Sequence, residues 1–185
     1  MPMIKAFRMD GLGNKFVIVD RRKNLVNISK EKIVYLGKLK SFHRDIGFDQ
    51  IIFIEKEVDK TFPITIFNSD GGEVSACGNG ARCIAYLLGK DLNTKTIRLK
   101  TNNRLLDAKI VGNHDVELAM GKPIFRWDKI PLSEETDHSD ITLNIKDKKF
   151  TNGFSLNVGN PHIIFFVKDC FEYDLKILGP KIENH

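Results

Sequence analysis

Cysteine is scarce. Three occur in 185 residues, at positions 77, 83 and 170, and no two have C-x-x-C spacing. That excludes a disulfide framework and points to a reducing compartment. Histidine is thinly spread, with five at 43, 114, 138, 162 and 185 and no i, i+4 pair. Metal-ligand spacing is therefore absent, and no metal is expected. No apolar run approaches the length of a membrane span, and none follows a basic start at the N-terminus, so neither a membrane partner nor a secretory leader is expected. The protein is expected to be cytoplasmic.

Charge of one sign is also missing as a run. The formal net charge is +5, but the basic residues scatter. The densest groups, Arg21-Arg22-Lys23 and Lys146 with Lys148-Lys149, are short and each lies beside an acid. No aromatic-basic pattern of a nucleic-acid surface is present, so the charge reads as a solvated surface with no nucleic-acid partner. A small anionic substrate is compatible with it. At 42% hydrophobic and 29% charged residues, the composition is that of an ordinary globular chain. Its length suits one domain, or one and a part.

What is present centres on Ser75-Ala76-Cys77-Gly78-Asn79-Gly80-Ala81-Arg82-Cys83, continued by Ile84 to Gly89. This reads as a tight loop entering a helix. Gly78 and Gly80 suit positive φ and a close approach to a ligand. From Ala81 to Leu88 only Arg82 is charged, so the helix is expected to be buried, with Gly89 as its stop. Cys77 then lies where the first free N–H groups point. Those groups and the helix dipole favour an anion, and the thiolate is the reactive form of cysteine. Free cysteines are also commonly buried and inert. The flanking glycines, the helix start and the nearby Asn68 and Asn79 favour the reactive reading for Cys77. Cys83 reads as core.

Around that helix the chain is rich in strand signals. Strands are expected at Ile4–Asp10, Phe16–Val19, Ile51–Ile54, Phe62–Phe67, Thr96–Thr101, Leu105–Val111 and Asp115–Met120, with a Gly112-Asn113 hairpin before the last. A surface helix over 29–42 is capped by Ser29, and Arg44 to Gln50 reads as a loop. Asn14 follows Gly11-Leu12-Gly13 and reads either as a left-handed turn residue or as a polar group at a strand mouth. Residues 1–120 make one complete unit, and Gly121-Lys122-Pro123 marks a boundary. Residues 124–140 read as irregular, Ile141–Ile145 and Phe154–Val158 as strands, and Ile163–Val167 as a further strand after Gly159-Asn160-Pro161-His162. His162 reads as a turn histidine beside Pro161 or as a functional group. Gly13-Asn14 and Gly159-Asn160 each feed an apolar strand after two residues. Residues 121–185 therefore read as the front of a second copy, and repeat spacing places a second cysteine loop at roughly position 223.

Five motifs carry a resemblance: Gly11-Leu12-Gly13-Asn14, Gly47-Phe48-Asp49-Gln50, Phe67-Asn68-Ser69-Asp70-Gly71, Ala76 to Cys83, and Gly159-Asn160-Pro161-His162. In this order they make the chain similar to the diaminopimelate epimerase family, racemase-type enzymes that use no pyridoxal phosphate and no other cofactor. The resemblance implies an α/β (α+β) fold of two pseudo-duplicated domains, each a sheet curled around a central helix, with the second incomplete here. It implies diaminopimelate as substrate, in lysine and peptidoglycan precursor synthesis, and a homodimer for the full-length enzyme. Epimerisation removes a proton from an α-carbon and returns one to the other face, so two acid–base groups must flank that carbon. Cys77 matches one of them. Asn14, Gln50, Asn68 and Asn160 match substrate contacts, and Gly78 and Asn79 match loop contacts to a substrate carboxylate. His162 matches a histidine that tunes the cysteine pair.

The second cysteine, in a Cys-Gly-Thr/Ser-Gly loop preceded by Glu-Arg, does not occur in these 185 residues. Cys170 has no flanking glycines and no expected helix start, and reads as a buried or edge residue. A chain with one acid–base group is expected to be a poor epimerase or none. A related isomerase of the same fold, such as a proline racemase or phenazine-pathway type, and a non-catalytic partner-binding remnant are the alternatives.

Overall fold

The computed structural model describes residues 6–41, 44–45, 47–145 and 148–185. The expected strand start at Ile4, the helix end at Phe42, the loop residue Ile46 and the basic Lys146 lie outside the described residues. The chain divides into two compact units, residues 1–120 and 121–185.

In the first unit, β1 (Ala6–Gly11) and β2 (Asn14–Asp20) form an antiparallel hairpin. Its turn residues, Leu12 (φ 50°) and Gly13 (φ 89°), are both left-handed, as a type I′ turn requires. Asn14 is outside the turn: it is the first residue of β2, paired with Gly11. Helix α1 (Lys30–Gly37) begins at Ser29, whose side chain accepts the Lys32 N–H at 3.3 Å. It is shorter than the expected 29–42. Gly37 packs so tightly that a Cβ there would lie 2.8 Å from Ser69 Cβ. After it the backbone enters the two-stranded pair β3 (Lys40–Ser41) and β4 (Arg44–Asp45), where a loop was expected for the second.

Next come β5 (Gln50–Ile54), β6 (Phe62–Asn68) and β7 (Glu73–Val74), followed by α2 (Gly78–Leu92), β8 (Thr96–Lys100), β9 (Leu105–Ile110) and β10 (Val116–Ala119). The sheet order is β1-β2-β5-β6-β8-β9-β10, with β7 also on β6. The β2–β5 and β6–β8 pairs are parallel, and α1 and α2 lie in their crossovers. Strands from both ends of this order, β1 and β2 on one side and β8, β9 and β10 on the other, pack on α2. The sheet therefore curls around the helix into a half-barrel.

Side-chain alternation explains the layering. Phe16 and Ile18, Ile52 and Ile54, and Ile64 and Ile66 face Ala81, Cys83, Ile84, Ala85 and Leu88 of α2 in one core. Val19, Ile51 and Phe53 face the other way, onto Ile33 of α1. From Ile51 to Ile54 strand β5 is apolar without a break because both its faces are covered. Full burial of side chains such as Ile84 and Leu88 contributes about 1.5–3 kcal/mol each. Helix α2 runs past the expected stop at Gly89 and ends at Asn93, whose φ of 51° and ψ of 48° form the left-handed cap. Gly89 lies inside the helix for lack of room: a Cβ there would meet Ile110 Cδ1 at 2.3 Å.

The second unit contains an antiparallel sheet of β11 (Ile141–Ile145), β12 (Lys148–Asn157) and β13 (Pro161–Ile164). Ile130, Ile141, Ile145 and Phe150 are its buried apolar residues. Strand β13 ends at Ile164, short of the expected Val167. Helix α3 (Leu175–Glu183) follows, capped by Asp174, which accepts the Lys176 N–H at 3.0 Å. No helix was expected here, and this one holds Gly179-Pro180 within it, a pair that breaks most helices. Cys170 is exposed, not buried, and opens a short 3-10 turn capped by Asp169. Among the described residues no helix is long and apolar enough to cross a membrane.

Candidate functional site

Three strands bring amide side chains to one end of the half-barrel. Asn14 opens β2, Gln50 opens β5 and Asn68 closes β6. The register sets Gln50 opposite Asn68, and Gln50 Nε2 donates to Asn68 Oδ1 at 3.0 Å. Gln50 Oε1 is buried with no partner among the described residues. An unmet buried acceptor is costly, and a ligand donor such as an ammonium would meet it.

The start of α2 reaches the same end. Cys77 is its N-cap, extended at φ −146°, and its Sγ accepts the Gly80 N–H at 3.4 Å. The sulfur takes the place of the usual capping oxygen, on the helix end that favours negative charge. The expected positive φ at Gly78 and Gly80 is not found. Both lie in the first turn of α2, and the left-handed glycines among the described residues are elsewhere, as at Gly13 and Gly71. Gly80 is there for space: a Cβ would come within 2.5 Å of Ile52 Cδ1 and 3.3 Å of Phe16 Cε1.

Asn79, in the same turn, donates through Nδ2 to Asn14 Oδ1 at 2.9 Å, and its Oδ1 accepts from Arg82. Asn14 Nδ2 in turn donates to Asp49 Oδ2 at 3.3 Å. Asp49 and Arg82 were not singled out from the sequence. The signals were an acid beside Gln50 in Gly47-Phe48-Asp49-Gln50, and one charge in the otherwise apolar run from Ala81 to Leu88.

Cys83 is 7% exposed in the core. Burial first, then the charge of Cys77, pushes its thiol up from the ordinary 9.0. Cys77 is partly buried and Cys170 exposed. The first unit thus gathers Asn14, Gln50, Asn68, Cys77, Gly78 and Asn79. Asn160 and His162 belong to the second unit, where both are exposed and His162 Nε2 lies 3.0 Å from Asn160 Oδ1. His162 is in β13, opposite Leu156, so it is past the turn. Among the described residues no group of three or more His, Cys, Asp or Glu side chains could hold a metal ion.

Residues 6–126 match the family model of diaminopimelate epimerase. The chain belongs to the diaminopimelate epimerase family. It is 48% identical over 185 residues to a diaminopimelate epimerase of Pelagibacter ubique, an alignment covering 98% of this chain and 66% of that protein. With a diaminopimelate epimerase of Wolbachia from Brugia malayi it shares 39% identity over 181 residues, covering 96% and 65%. The chain therefore spans just under two thirds of the length of these relatives. Among solved structures, a predicted epimerase from Pseudomonas aeruginosa aligns with a TM-score of 0.58 at 15% identity, covering 98% of this chain and 67% of that one. A hydroxyproline epimerase from Agrobacterium vitis aligns with a TM-score of 0.57 at 11% identity, covering 95% and 53%. At these identities the likeness is one of fold alone: the chain shares its architecture with these two proteins.

Proposed function

We propose that this chain supplies the first half of the active site of a diaminopimelate epimerase, which interconverts LL- and meso-2,6-diaminopimelate without a cofactor. The observation that carries the reading is Cys77 capping α2, with the Gly80 N–H on its sulfur, among the amides of Asn14, Gln50, Asn68 and Asn79. The Cys77 thiolate takes the α-proton as general base, and in the reverse direction its thiol returns one. The helix N-terminus stabilises the charge that develops near it. Neutral amides hold an amino acid's ammonium and carboxylate without neutralising either. Asn160 is a further substrate contact on this reading, and His162 tunes the cysteine pair.

The proton returned to the opposite face comes from a second acid–base group. Cys83 does not fill that role, being buried on the same helix as Cys77. Cys170, in its exposed 3-10 turn, lacks the glycine loop around Cys77. The full two-cysteine enzyme acts in the cytoplasm, as a homodimer, in lysine and peptidoglycan precursor synthesis.

The test is alkylation by an aziridine analogue of diaminopimelate, followed by peptide mapping. Cys77 is labelled well before Cys83 and Cys170, and Cys77→Ser abolishes the fast label. Equal labelling of Cys77 and Cys170 sinks the reading.

A further inference from the structure

The site holds a polar relay with a fixed direction. Arg82 donates to Asn79 Oδ1, Asn79 Nδ2 donates to Asn14 Oδ1, and Asn14 Nδ2 donates to Asp49 Oδ2. A guanidinium can only donate and an ionised carboxylate can only accept, whereas an asparagine amide can turn over and exchange the two roles. The charged ends therefore decide which way both amides face. If Asn14 flipped, its oxygen would face the Asp49 carboxylate. If Asn79 flipped, its NH2 would face the guanidinium.

Both ends are anchored. Asp49 Oδ2 also accepts the Lys15 N–H at 2.8 Å, the Asp49 N–H donates to Lys15 O at 2.9 Å, and Asp49 O accepts the Ser69 N–H at 2.9 Å. The backbone of Asp49 is thus held between the start of β2 and the turn after β6, and its carboxylate is fixed on the Lys15 N–H. Arg82 lies three residues beyond Asn79 on α2, on the same helix face. In this orientation one N–H of Asn14 and one of Asn79 have no acceptor among the described residues.

We propose that Asp49 and Arg82 are positioning residues: together they hold the Asn14 and Asn79 amides in the orientation that leaves one N–H of each for a ligand carboxylate. The inference rests on the functional reading above and adds to it the residues that set donor direction at the carboxylate end of the substrate. Neither charge touches the reacting atoms. Each acts through an amide.

The test compares Cys77 alkylation by the aziridine analogue with alkylation by iodoacetamide, which needs no carboxylate recognition. The ratio of the two rates cancels any general change in thiol reactivity. In Asp49→Asn, nearly isosteric, and in Arg82→Met the ratio falls about tenfold, the scale of one lost hydrogen bond. In Arg82→Lys, which keeps a donor, the ratio stays within about threefold of the wild-type chain, by the same scale. Should Arg82→Met not fold, Asp49→Asn decides alone. A selective wild-type chain whose variants keep its ratio overturns the relay while the site reading stands. A wild-type chain with no preference for Cys77 overturns the site reading, and the relay falls with it.

Discussion

The backbone N–H of Gly80 donates to the sulfur of Cys77 at 3.4 Å, and the Cα of the same glycine leaves no room for a methyl group against Ile52. One residue thus serves the thiol with its nitrogen and the core with its missing side chain. Gly80→Ala is expected to cost about 1–3 kcal/mol through overpacking and to slow Cys77 alkylation. Urea unfolding read beside the labelling rate checks it. An unchanged midpoint would show that the Ile52 contact yields freely.

The tip of the β1–β2 hairpin carries strain. Leu12 is 82% exposed and left-handed at φ 50°, a conformation that costs a branched L-residue about 1–2 kcal/mol. Leu12→Asn places the preferred Asn-Gly pair in the turn and is expected to raise the melting temperature by about 2–4 °C for a chain of this size. A lower melting temperature would mean that Leu12 makes a stabilising contact.

Asn93 ends α2 in the left-handed cap, so Asn93→Gly and Asn93→Ala should separate. The glycine variant is expected to match or exceed the wild-type stability. The alanine variant should lose about 1 kcal/mol. Chemical denaturation of both measures the difference, and equal stabilities would contradict the capping role.

Cys83 makes stability depend on pH. Burial raises its thiol above the ordinary 9.0 in the folded chain, so over that interval the unfolded chain has released a proton that the folded chain keeps. Its contribution is fully present below about pH 9 and is lost as pH rises through the folded value, at up to about 1.4 kcal/mol per unit. Urea unfolding between pH 7.5 and 10 should show the decline, and Cys83→Ala should flatten it. An identical slope in that variant would place the effect elsewhere.

Much of the fold was legible because its signals are local. The apolar stretch from Ala81 to Leu88, the alternation in Phe62 to Phe67 and the capping serine at position 29 each declare an element from neighbouring residues alone. The limits of those elements were less legible, since tight packing set them. Gly89 reads as a stop and is a close contact with Ile110. Gly37 reads as ordinary helix and ends α1 against Ser69.

At the candidate site, the sequence by itself determined the parts: residue type and periodicity gave a cysteine at a helix start, and the resemblance of the motifs gave the amides. Only the tertiary structure decided how they connect. Asn14 and Asp49 are 35 residues apart and Asn14 and Asn79 are 65, separations over which no periodicity reaches. They meet because β2 and β5 start at the same end of a parallel pair and α2 begins beside them. The direction of the hydrogen bonds follows from the charges of Asp49 and Arg82, which the fold sets at opposite ends of the relay.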